Sequence, residues 1–436
     1  MDDKLKKPNE RTRRNVLVFP CGSEVALEIY RSLKDSIHFH LIGASSVEDH
    51  GRFVFKDYIG GLPWINSTEF IPALKEIVKG RQVEAVYPAM DMALAVIKEA
   101  EDELGCKVVT SPLETVKTCL SKSQTYATLS DVVKVPRIYS ECEFSNEAIY
   151  PVFCKYDVGY GSRGAQKVMD EHSLAEYRRT HRNSIVCEYL TGDEYTVDCF
   201  TDSDGKLLFA GPRTRRRVSN GISVDTMPYD DASGEVTKNI EAINGVLRFC
   251  GAWFAQFKRD KNGALTLLEV AARLAGSSSL YRGKGINFAA MSLFAAFGAS
   301  VSIVENSYAI EMDRALDNVY SIDYEYDVVY CDFDDCLILD DSQVNSDLIG
   351  FLYRCLNEGK RIVLLSRHYR DIDIDLKRFR LSGLFDKVVH ITDGTPKADF
   401  IESSRSIFID DSFSERASVH NKLGIPVFGV DMIKYL

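Results

Sequence analysis

The amino-acid sequence predicts a chain of mixed α/β and α+β architecture, and two patterns carry that prediction. Apolar strand-like segments alternate with helical segments from about residue 15 to 110, and again from about residue 321 onward. Such alternation is typical of parallel sheets covered by helices. Between these regions, short segments alternate in polarity and end at Gly, Asp or Asn, as antiparallel strands do. We therefore expect three domains, 1–110, 111–320 and 321–436.

The composition argues against several classes of protein. The 436 residues contain 53 Lys and Arg against 64 Asp and Glu, and the net charge of −11 disfavours nucleic-acid binding. No apolar run reaches the roughly 18 residues that cross a membrane, and no apolar segment of a secretory signal follows the charged residues 1–14. Eleven scattered cysteines without a CxxC pair indicate reduced thiols. We expect a cytoplasmic protein without a membrane partner.

The first domain opens with the strand NVLVFPCG (15–22), the helical segment SEVALEIYRSLKD and the strand FHLIGAS. A helix over 73–80, a strand over 85–89, a helical segment ending at Gly105 and the strand CKVVTS follow. Apolar strands that lead into a turn and a helix are typical of α/β units. This order predicts a small doubly wound parallel sheet.

The middle domain begins with one predicted helix over 112–130, followed by two strands around the Gly-rich loop KYDVGYGSRG (155–164). Glycines let backbone N–H groups approach a polyphosphate closely, and Lys155 can reach it as a cation. Gln256 and Glu269 lie on two strand-like segments joined by Asp-Lys-Asn-Gly, a plausible hairpin turn. Their side-chain oxygens could share a Mg²⁺ ion.

Five motifs in order give the region from about 15 to 310 a resemblance to the ATP-grasp superfamily. They are Lys122, PVFCKYDVGYGSRG, EYLTGDEYTVD, Gln256 and LLEVAARLAGSS. The nearest branch is that of the carbamoyl-phosphate-synthase-like enzymes and carboxylate–amine ligases, and the first domain resembles the family's pre-grasp domain. The resemblance implies an ATP-grasp fold that joins a small-molecule or peptide carboxylate to an amine through an acyl phosphate. It implies ATP and Mg²⁺ as cofactors, with Mn²⁺ as an alternative metal.

The same resemblance implies roles for single residues. Gln256 and Glu269 are expected to bind the metal, and Arg273 to stabilise the transferring phosphoryl group. The residues expected to bind ATP are Lys122, Lys155, Gly161, Ser162, Arg163, Gly164, Glu188, Tyr189, Leu190 and Glu194. The family usually has Asn two residues before its Arg as a ligand of a second metal, whereas this chain has Ala271.

The basic run GPRTRRRVSNG (211–221) has three interpretations: a solvated strand, a nucleic-acid patch, or a clamp for an anionic substrate. A nucleic-acid patch is disfavoured because the run is short and lacks aromatic side chains that stack on bases. Strand alternation would place Arg213, Arg215 and Arg217 on one face. We favour the clamp and expect Arg213 and Arg215 to bind the substrate.

The last domain carries polar residues at the ends of four predicted elements. Asp332 and Asp334 follow the strand DVVYC, Ser366 ends RIVLLS, Lys397 opens a predicted helix, and Asp410–Asp411 end SIFIDD. The carboxyl ends of parallel strands meet at one edge of a sheet, where ligands bind. Of two acids spaced i and i+2, one can attack phosphorus while the other protonates the leaving oxygen.

These four elements give residues 325–436 a resemblance to the haloacid-dehalogenase (HAD) phosphatase superfamily. The resemblance implies Asp332 as nucleophile, Asp334 as general acid and base, and Ser366 and Lys397 as phosphate ligands. The residues expected around Mg²⁺ are Asp332, Asp334, Asp410 and Asp411.

Three further features qualify that resemblance. Cys336 stands where the family usually has Thr, which removes a hydroxyl group from the loop. The spacing of the motifs leaves no room for a cap, so we expect a capless HAD Rossmann-like domain. Its phosphorylated substrate is then large, unless the rest of the chain covers the site. His368, two residues after Ser366, could touch a ligand of the HAD site, but we favour a position at the surface.

The sequence as a whole predicts an ATP-grasp ligase (ADP-forming) fused to a HAD-type phosphohydrolase. A second hypothesis makes the ATP-grasp part a nucleotide sensor attached to an active phosphatase, and Ala271 favours it. A third is a scaffold that binds without turnover, which the intact Lys155, Arg273, Asp332 and Asp410 argue against. The sequence leaves the two ligase substrates and the oligomeric state open, with a homodimer as one option.

Overall fold

The computed structural model describes residues 13–159, 161, 164–219, 221–315, 320 and 322–436. The chain divides into two compact units, Met1–Leu316 and Asp317–Leu436. The division lies close to the expected boundary at residue 320, and the first two expected domains fall within the first unit. In the part of the chain described, no helix combines the length and apolar character needed to cross a membrane.

The N-terminal unit begins with a five-stranded parallel sheet in the order β3-β2-β1-β4-β5. Its elements are β1 (Arg14–Phe19), α1 (Glu24–Leu33), β2 (Phe39–Ala44), α2 (Gly51–Val54), β3 (Asp57–Ile59), α3 (Phe70–Gly80), β4 (Val83–Pro88), α4 (Asp91–Glu99), α5 (Glu101–Leu104) and β5 (Lys107–Val108). The helical segment expected to run to Gly105 is divided at Ala100. Apart from that division, the predicted alternation of strands and helices is observed.

Two helices follow, α6 (Leu113–Leu120) and α7 (Lys122–Leu129). The prediction of a single helix over 112–130 is therefore wrong in its continuity. Ser121 has an extended backbone, and its hydroxyl accepts a hydrogen bond from the Gln124 amide, so it ends one helix and caps the next. As a result, Lys122 is the first residue of α7.

The next elements form a three-stranded antiparallel sheet in the order β7-β6-β8. After two 3-10 turns (Glu141–Glu143 and Glu147–Ile149) come β6 (Val152–Tyr156), β7 (Gln166–Val168), α8 (Glu171–Thr180) and β8 (Ser184–Glu188). The Gly-rich loop joins β6 to β7, as the sequence predicts. Buried apolar side chains of β6 and α8, including Val152 and Leu174, hold the helix against the sheet.

A four-stranded antiparallel sheet, in the order β10-β9-β13-β14, forms the centre of the N-terminal unit. The remaining elements of the unit are β9 (Glu194–Thr201), β10 (Leu207–Thr214), β11 (Arg217–Ser219), β12 (Ile222–Thr226), α9 (Glu235–Val246), β13 (Gly251–Arg259), β14 (Leu265–Ala271), α10 (Ser279–Gly283), α11 (Phe288–Ala296) and β15 (Met312–Asp313). Strands β11, β12 and β15 form a small antiparallel sheet that was not predicted. One face of the central sheet packs its apolar side chains against α9, around the fully buried Trp253.

The C-terminal unit is built on a five-stranded parallel sheet in the order β20-β19-β16-β21-β22. Its elements are β16 (Val328–Cys331), β17 (Ile338–Leu339), β18 (Gln343–Val344), α12 (Ser346–Asn357), β19 (Arg361–Ser366), α13 (Ile372–Arg378), β20 (Lys387–His390), β21 (Ser406–Ile409), α14 (Phe413–Leu423) and β22 (Val427–Phe428). The predicted helix at Lys397 is a short 3-10 turn (Lys397–Phe400). The first strand of this unit in sequence, β16, lies in the middle of the sheet, so its end is flanked by the ends of β19 and β21.

Candidate functional site

The central sheet of the N-terminal unit presents one row of polar side chains to a cavity. Across the strands, Arg213 pairs with Thr196, Thr196 with Gln256, and Gln256 with Glu269. Paired residues point to the same face of a sheet, and all four line a cavity of about 720 Å³. Because neighbouring strands lie about 4.8 Å apart, the row places Arg213 and Glu269 about 14 Å from each other at the backbone. The cavity therefore has a cationic end and an oxygen-rich end.

A second cavity, of about 130 Å³, lies at the oxygen-rich end and shares Gln256 and Glu269 with the first. Four residues predicted to bind ATP line it: Lys122, Lys155, Gly161 and Glu194. Gly161 has φ of 63°, a left-handed conformation that favours glycine. The structure thus brings the two lysines, the Gly-rich loop and the two expected metal ligands around one space.

The two lysines are held by hydrogen bonds. Lys155 is only 8% exposed, and its Nζ donates to the hydroxyl of Tyr126 at 2.7 Å and to the carbonyl of Leu268 at 3.3 Å. Burial lowers the pKa of Lys155. Lys122 donates to the carbonyl of Gly159 at 3.1 Å, which ties the first turn of α7 to the Gly-rich loop. Both ammonium groups are therefore positioned beside the second cavity.

The other predicted ATP-binding residues are distributed differently. Glu188, Tyr189 and Leu190 follow one another from the end of β8, outside the described lining of both cavities. Tyr189 lies next to the lining, since its ring centroid is 6.3 Å from that of Phe153.

The other residues predicted to bind ATP are three positions of the Gly-rich loop and Glu194. The Gly164 carbonyl accepts a hydrogen bond from Tyr177. Ser162 and Arg163 lie outside the described residues. Glu194 forms an ion pair with Arg215 Nε at 2.8 Å and lies 3.7 Å from Lys258 Nζ.

Arg213 is a buried cation with a free donor. It is 2% exposed, and it donates to Asp198 Oδ2 at 2.6 Å through Nε. Its Nη1 is buried and has no hydrogen-bond partner among the described residues. A buried guanidinium N–H without an acceptor is costly, so this group is suited to receive an anion from the cavity.

The predicted alternation of the basic run is wrong beyond Arg215. Strand β10 ends at Thr214 and β11 begins at Arg217, so the strand periodicity is interrupted between them. Arg217 instead pairs with Asp313 at 2.6 Å on the exposed side of the small sheet. Among the arginines of the run, which all lie within the described residues, only Arg213 and Arg215 line the cavity.

Arg273 also lines the cavity, and the first residue of α4 fixes its orientation. Its guanidinium donates twice to Asp91 at the start of α4, with both distances 2.7 Å. It also lies over the ring of Phe254, 5.2 Å from the centroid. The bidentate geometry orients the planar guanidinium rigidly.

Ala271 lies opposite Phe254 on the neighbouring strand, and both belong to a small apolar cluster with Ala275. The position that would hold a second metal ligand is therefore apolar. Asp260 does not replace the missing ligand, because its carboxylate accepts hydrogen bonds from Asn262 and Ala264 in its own turn. The donor set of Gln256 and Glu269 fits one divalent cation.

In the C-terminal unit, Asp332, Asp410 and Asp411 offer carboxylate oxygens that all lie within 4.8 Å of one another. Lys397 is 2% exposed, and its Nζ lies 2.6 Å from Asp410 Oδ2 and 3.1 Å from Asp332 Oδ1. Three carboxylates gathered in one cluster fit a hard divalent cation such as Mg²⁺.

Burial controls the protonation of these acids. It raises the pKa of Asp410 to about 6, helped by the nearby charge of Asp332 and opposed by Lys397. It also raises the pKa of Asp332, again against the effect of Lys397. Burial alone would lower the pKa of Lys397, but the two carboxylates outweigh it and the net shift is upward. The ammonium group therefore stays charged between the acids.

Asp334 does not belong to this carboxylate cluster. Its Oδ1 lies 2.8 Å from Nδ1 of His368, so the side chain points toward the imidazole rather than toward Asp410. The expectation that His368 lies at the surface is wrong, because its side chain is completely buried. Two residues back, Ser366 is also buried and its hydroxyl accepts a hydrogen bond from the His368 amide.

Cys336, in the position expected to be Thr, is buried, and its thiol donates weakly to the carbonyl of Ile409 at 3.8 Å. The substitution therefore keeps a contact between the loop after β16 and the end of β21. Residues 332–397 are all described, and the β17–β18 hairpin is the only sheet structure between β16 and β19. No cap domain interrupts this part of the chain.

Sequence reasoning missed two residues that hold the site, Asp91 and Asp198, and it favoured the wrong position for His368. Asp91 acts through a contact with a distant part of the chain, Arg273. For Asp198 a signal existed, since it lies two residues from Thr196 and so on the same face of β9.

Comparisons with known proteins bear on the N-terminal unit. Residues 180–317 match a family described as "ATP-grasp in the biosynthetic pathway with Ter operon". A comparison with curated proteins gives no significant match.

Solved structures similar to the chain include three that span about two thirds of it. The biotin carboxylase domain of Hydrogenobacter thermophilus 2-oxoglutarate carboxylase, in complex with MgADP and bicarbonate, has a TM-score of 0.57 and 15% identity, over 67% of this chain and 71% of that chain. N5-carboxyaminoimidazole synthetase from Staphylococcus aureus, complexed with ADP, has a TM-score of 0.56 and 17% identity, over 66% and 78%. The L-amino acid ligase from Bacillus licheniformis has a TM-score of 0.52 and 18% identity, over 66% and 74%.

None of the structures named above is a phosphatase, so the resemblance of the C-terminal unit to HAD enzymes stays a prediction. For the N-terminal unit, the family match and the shared fold agree with the motifs of the sequence. The chain contains an ATP-grasp domain of mixed α/β architecture.

Proposed function

We propose that the N-terminal unit is an ADP-forming ligase that joins a carboxylate to an amine through an acyl phosphate. The observation that carries the proposal is the row of Arg213, Thr196, Gln256 and Glu269 facing one cavity, with Lys122 and Lys155 beside it. This arrangement offers a place for a polyphosphate, a metal ion and an anionic substrate side by side. The family description names a biosynthetic pathway, and two of the similar structures are named as a synthetase and a ligase.

Each group has a part in the proposed reaction. Lys122 and Lys155 would bind the phosphates of ATP, and Gln256 with Glu269 would hold one Mg²⁺, which would supply charge neutralisation. The substrate carboxylate oxygen attacks the γ-phosphorus, the bond to the β-phosphate oxygen breaks, and ADP is released. Arg273, oriented by Asp91, faces the negative charge that builds up on the transferring group. The amine then attacks the acyl carbon, phosphate leaves, and an amide forms.

The cationic end of the cavity supports a substrate with a second anionic group. Arg213 offers a buried N–H that has no partner within the described part of the chain, and Arg215 lines the same cavity. Since the expected site of phosphoryl transfer is at the Glu269 end, a charge at Arg213 belongs to a different part of the substrates. A small molecule or peptide that carries both an amine and a carboxylate fits this requirement.

The test is ADP release by the Asp332→Asn variant, which disables the proposed phosphatase, with ATP, Mg²⁺ and pools of amino acids and organic acids. We expect release that depends on a carboxylate in the pool and falls at least about 100-fold in an added Glu269→Gln change. Glu241→Gln, on an exposed residue of α9, is the matched control. Release that survives Glu269→Gln would contradict the proposal.

One alternative remains for this unit, a nucleotide sensor without turnover, and Ala271 favours it. The apolar pair of Ala271 and Phe254 leaves one metal position where the family usually has two. ATP binding without ADP release in any pool would support the sensor. ADP release with one carboxylate would exclude it.

For the C-terminal unit, the proposal is a Mg²⁺-dependent HAD-type phosphatase. The observation in its favour is the buried cluster of Asp332, Lys397 and Asp410 at the carboxyl edge of the parallel sheet, with Asp411 beside it. Asp332 and Asp410 follow adjacent strands, β16 and β21. A pair of buried acids bridged by a lysine is costly to build for stability alone, which favours a functional role.

In the proposed reaction Asp332 is the nucleophile and forms an aspartyl phosphate. Ser366 and Lys397 bind phosphate oxygens, and Asp334 exchanges the proton of the leaving group. Asp332, Asp410 and Asp411 would hold Mg²⁺, whose charge offsets that of the phosphate. The substrate is a phosphorylated molecule, and a substrate or product of the ligase would connect the two units.

Hydrolysis of p-nitrophenyl phosphate with Mg²⁺ tests this proposal. We expect Asp332→Asn to abolish hydrolysis, because an amide cannot act as the nucleophile. Asp347→Asn, on an exposed residue of α12, should leave hydrolysis unchanged. Equal hydrolysis by wild type and Asp332→Asn would refute the assignment.

A further inference from the structure

The C-terminal unit contains a buried imidazole that binds two carboxylates at once. The side chain of His368 has no exposed surface; its Nδ1 lies 2.8 Å from Asp334 Oδ1 and its Nε2 lies 2.8 Å from Asp375 Oδ2. The edge-on ring of Phe333, with centroids 4.9 Å apart, restricts the remaining freedom of the imidazole. Each ring nitrogen therefore has a carboxylate partner, and the two contacts hold the ring in one orientation.

Asp375 provides the fixed end of this arrangement. Its side chain is buried on α13, 3.0 Å from Arg370 Nε and 3.6 Å from an Nη of Arg378. Two arginines and one histidine thus converge on a single carboxylate. Helix α13 sets the position of Asp375, and His368 connects Asp375 to Asp334 in the loop after β16.

Asp334 is the exposed end of the arrangement. Its side chain is 43% exposed, and among the described residues His368 is the hydrogen-bond partner that the structure gives to its carboxylate. An exposed aspartate without such a contact would sample several rotamers. The hydrogen bond holds Oδ1, and part of the carboxylate side chain stays exposed to solvent.

We infer that His368 is a positioning residue that fixes the Asp334 carboxyl group for proton exchange with the leaving group. This inference rests on the proposed phosphatase function. When a carboxylate oxygen of Asp332 attacks phosphorus, the ester P–O bond breaks and the Asp334 proton passes to the leaving oxygen, which gives an alcohol. Water then attacks the aspartyl phosphate, Asp334 takes its proton, and phosphate leaves with the Asp332 carboxylate restored.

The leaving group distinguishes this role from a structural one. An alkoxide is a poor leaving group and needs the proton of Asp334, whereas p-nitrophenolate leaves readily without it. We therefore compare hydrolysis of glycerol phosphate and p-nitrophenyl phosphate by the full chain with Mg²⁺. For His368→Ala we compare kcat/KM, which reports the steps up to departure of the leaving group and excludes hydrolysis of the aspartyl phosphate. We expect it to fall about 10–100-fold on glycerol phosphate and less than about 3-fold on p-nitrophenyl phosphate.

The ratio of the two rates protects the test against misfolding. Both rates are measured on one preparation, so a lower folded fraction reduces them equally and leaves the ratio unchanged. His368→Asn can still donate to Asp334 from a position close to Nδ1, so we expect it to restore part of the glycerol phosphate activity. His368→Gln reaches toward Asp375 instead and should restore less. His420→Ala, on an exposed histidine of α14, is the control.

Coupling to Asp334 is the second measurement. If His368 acts through Asp334, then His368→Ala should cost little further activity on glycerol phosphate in an Asp334→Asn background. Equal losses on both substrates, or full additivity with Asp334→Asn, would overturn the inference while leaving the phosphatase intact. A wild-type chain that hydrolyses neither phosphate overturns the proposed phosphatase itself.

Discussion

Replacing Lys397 by Met should destabilise the C-terminal unit strongly at pH 8 and weakly at pH 5. The ammonium group lies 2.6 Å from Asp410 and 3.1 Å from Asp332, with almost no exposure to water. Methionine fills a similar volume but leaves two buried carboxylates facing each other. Breaking a buried ion pair on one side costs about 3–5 kcal/mol.

The dependence on pH follows from the raised pKa of Asp410, which is about 6 in the folded unit. A carboxyl group whose pKa is raised by folding binds protons more tightly in the folded state, so the free energy of unfolding falls as pH rises from about 4 through the folded pKa. Removal of Lys397 takes away the charge that opposes the rise in the pKa of Asp410, so this decrease in the free energy of unfolding extends to higher pH. At pH 5 the acids of the variant can take up protons, and the loss should be only about 1 kcal/mol.

The assay is calorimetric unfolding of the full chain in a chelator at both pH values. Both tryptophans, Trp64 and Trp253, lie in the N-terminal unit, so their fluorescence identifies its transition and leaves the other to the C-terminal unit. A loss of 3–5 kcal/mol corresponds to a decrease in Tm of about 10–20 °C for a unit of this size. Lys377→Met, on an exposed residue of α13, is the control. Equal losses at pH 5 and pH 8 would refute the argument.

Three further changes test other parts of the site. Arg273→Ala leaves the half-buried Asp91 without its partner and should lower the free energy of unfolding of the N-terminal unit by about 2–4 kcal/mol. Adding Asp91→Ala should recover part of this loss, and urea unfolding followed by tryptophan fluorescence measures both variants. Ala271→Asn inserts an amide against Phe254 and should lower Tm without raising ADP release, and a rise in release would show that a second metal position is usable. Mg²⁺ should raise the Tm of the C-terminal unit more at pH 7.5 than at pH 5, because protons compete with the cation for Asp410 below its pKa of about 6. An equal rise in Tm at the two pH values would show that the cation binds elsewhere.

Elements that depend on local sequence could be predicted. The apolar runs of β1 and β19 signal buried parallel strands by themselves, because a fully buried strand needs no partner-specific pattern. The β13–β14 hairpin followed from the Asp-Lys-Asn-Gly turn, but its register shifts between Phe257 and Gln256, and this shift brings Gln256 opposite Glu269. The turn predicts the hairpin, whereas the pairing at the candidate metal site depends on a strand irregularity that the turn does not specify.

Elements that depend on distant partners could not be predicted. Strand β15 has two residues and pairs with β12, so neither length nor periodicity identifies it. The alternation assumed for the arginine run requires one continuous strand, but Thr214 ends β10 because the chain turns there to form the small sheet. Arg217 is therefore placed by Asp313, a residue far along the chain.

In the candidate site, too, the contacts that orient the functional side chains could not be predicted from the sequence. A histidine two residues after a strand end is compatible with either a surface or a buried position, and only the folded chain brings Asp334 and Asp375 to its two nitrogens. The same holds for Arg213. Its charge is visible in the sequence, but only the folded chain shows that its Nη1 is buried without a partner among the residues described. Motifs identify which residues can react, whereas the orientation of those residues depends on buried polar pairs between distant segments. In both units, the variants that separate a catalytic site from a binding scaffold are therefore changes to these pairs.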